Sequence, residues 1–133
     1  MDNDGLITVS SAHPVAETIE RLVAAATSAG MRVFARIDHA AAAAEVGMEL
    51  RPTELVIIGS PRGGTPLMQD RQAAGIDLPL KALAWEDQDG RVWLTTNDVG
   101  WLARRHGLGE SSGAAVAAVA AGLARVAAEA AGG

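Results

Sequence analysis

Leu55, Val56, Ile57 and Ile58 follow one another without a polar side chain and stop at Gly59. The run has the length of a strand, and three of its four side chains are β-branched, which favours an extended backbone. A strand that is apolar at consecutive positions has no solvent side. It therefore belongs inside a sheet, covered on both faces.

Such a strand needs neighbours, and the chain supplies them. Leu6 to Ser10 form a short β-rich run. Val33, Ala35 and Ile37 alternate with Arg32, Phe34 and Arg36, the period of a half-buried strand. Lys81 to Trp85 and Arg91 to Thr96 flank Asp89-Gly90, a strong short hairpin signal. A two-residue turn there predicts that Trp85 pairs with Leu94 and Asp87 with Val92. Leu83, Trp85, Val92 and Leu94 then share one face as core, and Trp93 points to the other, where a helix or a second subunit covers it.

Helical signals lie between these strands. Pro14 suits a first turn, and Val15, Ile19, Leu22, Val23 and Ala26 follow at helical spacing, with Glu17 and Arg21 as an outer i,i+4 pair. Asp38 can cap an alanine-rich helix over residues 39–46. Ser60 to Gly64 read as a loop before a third helix from Thr65 to Ala74, with Thr65 as its cap. A fourth helix spans Asp98 to His106. Val116, Val119, Leu123 and Val126, with Ala130 beyond them, form a narrow apolar seam in a last helix. The glycine-serine stretch before it predicts a tethered helix that packs on a partner subunit. The expected fold is α+β: a two-layer sandwich, mainly antiparallel, with helices packed on the sheet and an extra C-terminal helix. It divides into one domain over residues 1–108, then a linker and helix over 109–133.

Composition narrows the function. The 133 residues contain no cysteine, which removes disulfides, thiolate nucleophiles and iron–sulfur ligands. Eleven Lys and Arg are scattered among sixteen acids, for a net charge of −5, so nucleic-acid binding by clustered basic charge is not expected. Apolar stretches are broken by charge or glycine before about 20 residues, so no membrane span is expected. The stretch from Met1 to Gly5 is acidic and has no apolar signal core, which suggests a cytoplasmic protein.

Several motifs occur in a fixed order: Phe34-Ala35-Arg36-Ile37-Asp38-His39, then Leu50-Arg51-Pro52-Thr53-Glu54-Leu55, Gly59-Ser60-Pro61 and Gly64-Thr65-Pro66-Leu67-Met68-Gln69. Gly75 to Lys81, Trp85-Glu86-Asp87, Val92-Trp93-Leu94 and Asn97-Asp98 complete the series. Over residues 5–108 the chain resembles the bacterial and archaeal family known as domain of unknown function 302. The resemblance implies a two-layer fold with an antiparallel sheet, and a dimer. It implies no activity. A tyrosine expected near Thr96 and a proline expected near Val99 are missing, and the tail after Gly109 falls outside the pattern.

Three groups of residues are candidates for chemistry. Asp38 could orient the imidazole of His39, although Asp38 serves equally as a helix cap with His39 solvated beside it. Gly59, Ser60, Arg62, Gly64 and Thr65 run from strand to helix and could aim backbone N–H groups at an anion; a plain turn explains the same glycines. Lys81 on a half-buried face could act as a base, or simply extend its amine to solvent. The histidines, at 13, 39 and 106, lack metal-ligand spacing, so neither metal nor cofactor is expected. The leading expectation is a homo-oligomeric domain that binds a small polar or anionic ligand where Asp38-His39, the Gly59–Thr65 stretch and Lys81 converge. An enzyme using His39 or Lys81 for proton transfer is the alternative, and a structural dimerisation module is a third.

Overall fold

In the computed structural model, which describes residues 3–133, the apolar run lies in strand β3 (Thr53–Gly59), hydrogen-bonded on both sides. Met1 and Asp2, the start of the acidic N-terminal stretch, lie outside the described residues. The other strands are β1 (Leu6–Ser11), β2 (Arg32–Asp38), β4 (Leu80–Glu86) and β5 (Val92–Asn97). Their order across the sheet is β1-β5-β4-β3-β2, and every pair is antiparallel. The helices are α1 (Val15–Ser28), α2 (His39–Glu45), α3 (Pro61–Asp70), α4 (Val99–His106) and α5 (Gly113–Ala131). The α+β architecture expected from the sequence is the one observed.

The inner face of the sheet carries Val56, Ile58, Leu80, Ala82, Ala84, Leu94 and Thr96, all buried. Against it pack Val15, Ile19, Leu22 and Ala26 of α1, Val99 and Leu102 of α4, and Leu123, Val126, Ala127 and Ala130 of α5. Helix α5 thus shares one core with the sheet. The seam was expected to meet a partner subunit, and it instead folds back on its own domain. Residues Glu110–Ala131 are long and apolar enough to cross a membrane by length and composition, which the sequence criterion above missed; of this helix, Leu123, Val126, Ala127, Ala130 and Ala131 are buried.

Polar contacts fix the end of α5. Arg21 was expected to pair with Glu17. Its guanidinium instead donates to the carbonyls of Glu129, Ala130 and Gly132 at 2.8, 3.1 and 3.2 Å. His13 Nε2 also meets the Gly132 carbonyl, and Ala12 N–H donates to the carbonyl of Ala131 at 2.9 Å. A helix C-terminus leaves carbonyls unpaired and carries partial negative charge, so a cation there is doubly suited.

The hairpin differs from expectation by one residue. Trp85 pairs with Trp93, Ala84 with Leu94 and Glu86 with Val92. The loop has three residues, because the Asp87 carboxylate accepts from the N–H groups of Asp89 and Arg91 while Gly90 takes φ +80°. That is a turn followed by a left-handed glycine, not the two-residue turn expected. A one-residue slip exchanges the faces, so Trp85 leaves the core and joins Trp93 on the outer side.

Close packing of α3 on α5 requires Gly63: a Cβ there would stand 2.9 Å from Val119 Cγ2. Gly63→Ala is expected to lower stability by about 1–3 kcal/mol through overpacking. In a Val119→Ala background the same change is expected to stabilise, since alanine outscores glycine in a helix by up to about 1 kcal/mol. Urea denaturation of the four proteins checks this, and an unchanged sign in the second background would refute the packing explanation.

Candidate functional surface

The outer face of the sheet is built in rows by the strand register. One row crosses from Ile37 through Leu55 and Leu83 to Thr95 and Thr8. A second contains Ala35, Ile57 and Lys81, and a third contains Thr53, Trp85, Trp93 and Ser10. None of these residues is fully buried, in contrast to the inner face. Lys81 is the one charged side chain among them. Antiparallel sheets usually turn polar residues to their open side; here that side is largely aliphatic and aromatic.

The two tryptophans pack together on this face. Their ring centroids lie 6.3 Å apart with a 31° tilt. Trp85 Nε1 donates to Thr95 Oγ1 at 2.9 Å, and Trp93 Nε1 donates to Asp87 Oδ2 at 2.8 Å. With both N–H groups satisfied inside the hairpin, the rings present apolar surface. The Asp87 carboxyl is held below the usual carboxylate range, first by the Trp93 indole N–H and then by the amides of Arg91 and Asp89.

The residues singled out from the sequence do not converge. Asp38 pairs with Glu54, whereas Gly59 pairs with Arg32. Five residues of β3 separate the two positions, roughly 17 Å of strand. The shared pocket of Asp38-His39 and the Gly59–Thr65 stretch is therefore corrected: they stand at opposite ends of the sheet. Asp38 Oδ1 accepts from Ala41 N–H at 2.9 Å as the cap of α2, and His39 is exposed. Lys81 lies on the outer face near the Gly59 end, with Nζ donating to the Pro79 carbonyl at 3.3 Å.

The expected anion loop is the first turn of α3, which starts at Pro61 and not at Thr65. Ser60 is its cap and accepts from Arg62 N–H at 3.2 Å. Gly63 and Gly64 donate to the Ser60 carbonyl at 3.0 and 2.9 Å. Pro61 has no N–H to offer, so these amides are already spent. Thr65 sits inside the helix and is exposed, and Pro66, expected at the first position, lies within it too.

His106, in the last turn of α4, lies 2.5 Å from Asp77, which Arg105 also contacts at 3.2 Å. Among the described residues no group of three His, Asp or Glu side chains is placed to hold a metal ion.

A second feature escaped the sequence reading. Between β1, β5 and α5 lies a groove of about 380 Å³ walled by Ile7, Val9, Leu94, Leu123, Ala124 and Ala128. One end is closed by Asp98, whose carboxylate accepts from Asn3 Nδ2 and from Trp101 N–H at 2.8 and 3.1 Å. The groove depends on β1 being an edge strand, a property no local pattern encodes.

Residues 7–130 match the family described as domain of unknown function DUF302. The chain belongs to the DUF302 family. The match runs through α5, so the tail placed outside the family on sequence lies within it. A crystal structure of an uncharacterised conserved DUF302 protein from Bacillus stearothermophilus superposes with a TM-score of 0.82 at 18% identity, covering 93% of this chain and 96% of that one. At that identity the likeness concerns the fold. Proteins named fluoride-specific ion channel FluC 1 from Brucella suis and Brucella abortus are each 57% identical over 130 residues, 98% of this chain. This DUF302 chain spans about half of their length, 51% and 48% respectively.

Asp87 gives the hairpin a pH dependence. A carboxyl depressed on folding adds stability that is complete above its unfolded value, about 3.9, and is lost as pH falls through the folded value. Asp70, held by Gly109 N–H and the Ser112 hydroxyl, and Asp98 act in the same direction. Asp87→Asn is therefore expected to lose less stability than the parent between pH 6 and pH 3. Tryptophan fluorescence in urea measures this; an equal loss in both proteins would sink the assignment.

Proposed function

We propose that this DUF302 chain is a binding module, not an enzyme, that works as a homodimer joined through the outer face of its sheet. We further propose that it acts from the cytoplasm in the service of a membrane fluoride channel. The observation that carries the dimer is the outer face itself: three rows in which Leu55, Ile57, Leu83, Trp85 and Trp93 are half-buried among Thr, Ser and Ala, with Lys81 as the one charge. Depletion of charge around aromatic and aliphatic side chains is the composition of an interface core. Strands about 4.8 Å apart and some six residues long give a face roughly 19 by 20 Å in projection. A second copy would also satisfy β3, whose sequence demands cover on both faces.

The proton-transfer alternative, through His39 or Lys81, has less support, because His39 is exposed and the Lys81 amine is engaged by the Pro79 carbonyl at 3.3 Å. The small anion suggested by the sequence has no role in this reading, since the amides that would hold it are bonded within α3. The channel association rests on the names of the relatives, in which the stretch that matches this chain makes up about half of the length.

Leu83 sits at the centre of the rows, so Leu83→Arg is expected to turn a dimer into a monomer in sedimentation equilibrium, with an unchanged far-ultraviolet spectrum. A parent protein that is monomeric at high micromolar concentration would refute the dimer. Deletion of the gene is expected to reduce fluoride tolerance, and unaltered growth in fluoride would refute the channel association.

A further inference from the structure

The two edges of the sheet are built differently. At the β2 edge, the register shifts between Val33 and Ala35, and Arg36 is clamped to Glu20 and Glu54 at 2.9 and 3.0 Å. A bulge and charges are the devices that stop an edge from pairing with another chain. At the β1 edge, Leu6-Ile7-Thr8-Val9-Ser10-Ser11 has no charge, no proline and no bulge, and its register with β5 is unbroken over six pairs. Leu6, Ile7 and Val9 are 51%, 45% and 39% exposed. The groove of about 380 Å³ lies beside this unguarded edge, and Ile7 and Val9 line it.

We propose that the β1 edge and its groove take up a short extended peptide with small aliphatic side chains at alternate positions. The backbone of such a peptide would continue the sheet through the outward-facing N–H and C=O groups of Thr8 and Ser10, as a sixth strand, while Leu6 N–H is engaged by the Asn3 carbonyl at 3.1 Å. Alternate side chains would then fall on the groove side, beside Ile7 and Val9 and under the exposed methyls of Ala124 and Ala128. Alanine walls leave room for Val or Ile. The other side chains of the peptide would line up with Leu6, Thr8 and Ser10. Asp98 at one end, in a chain of net charge −5, favours a basic residue flanking the peptide.

Area decides between this occupant and a second copy. Edge-to-edge pairing would bury little beyond Leu6, Ile7, Val9 and a few alanines, well short of the ~800 Å² per partner of a stable dimer. A six-residue strand matches the length of β1 without needing more. The proposal is independent of the outer-face dimer, because monomer and dimer both leave this edge free.

The probe is acetyl-Lys-Thr-Val-Thr-Val-Thr-Lys-amide, titrated into the nitrogen-15-labelled full chain. The amide signals of Ile7, Thr8 and Val9 are expected to shift, with those of Ala124 and Ala128. Methylating alternate backbone nitrogens of the peptide, which removes ladder hydrogen bonds and keeps every side chain, is expected to weaken binding at least tenfold. Val9→Lys, which places a charge in the groove at an already part-exposed position, is expected to do the same. Equal binding of the methylated peptide would overturn the proposal, as would shifts confined to Trp85 and Trp93. It would also be overturned if the β1 signals responded to the protein's own concentration and not to peptide, which would assign the edge to a second copy.

Discussion

The grip of Arg21 and His13 on the last carbonyls of α5 is the contact on which the rest of the structure depends. It joins α1 to the end of α5 and so holds an alanine-rich helix against the sheet. Alanine contributes little burial per residue, so such a helix gains less from its own stripe than a leucine-rich one would. Fixing its C-terminus keeps Leu123, Val126 and Ala130 seated on the inner face. Once seated, α5 closes part of the core, and with β1 and β5 it walls the groove. Core and groove thus follow from the same helix.

What was legible in the sequence was local. Three consecutive β-branched residues marked β3 as interior, Asp38 and Asp98 marked helix starts, and both carboxylates do accept from the amides they were expected to cap. What was not legible depended on one side chain choosing between two nearby geometries. Asp89-Gly90 permits either a two-residue or a three-residue loop, and the carboxylate of Asp87, two residues upstream, selects the longer one. That choice moved Trp85 from the core to the outer face. In the same way Ser60 was free to cap, so α3 began at Pro61 and its glycines became helical.

The candidate site failed for a topological reason. Asp38 and Gly59 both stand at strand ends, but β2 and β3 run antiparallel, so the two ends are opposite. Motif order along a chain carries no information about which strand ends meet. The outer face and the β1 edge are likewise products of strand order: Leu55, Leu83 and Thr95 become neighbours only once the register is set. Ile7 and Val9 read as ordinary strand residues until β1 proves to be an edge.

The position of α5 at the end of the fold also sets when the domain can form. β1, the first strand, pairs with β5 and touches the end of α5, so the earliest and latest parts of the fold are neighbours. During synthesis the five strands are complete at Asn97, but the helix that covers their inner face ends at Ala131. At about 10 residues per second, the ribosome takes roughly three seconds to add that interval. For those seconds Leu94 and its neighbours lack one of the helices that cover them, so part of the apolar inner face stays open.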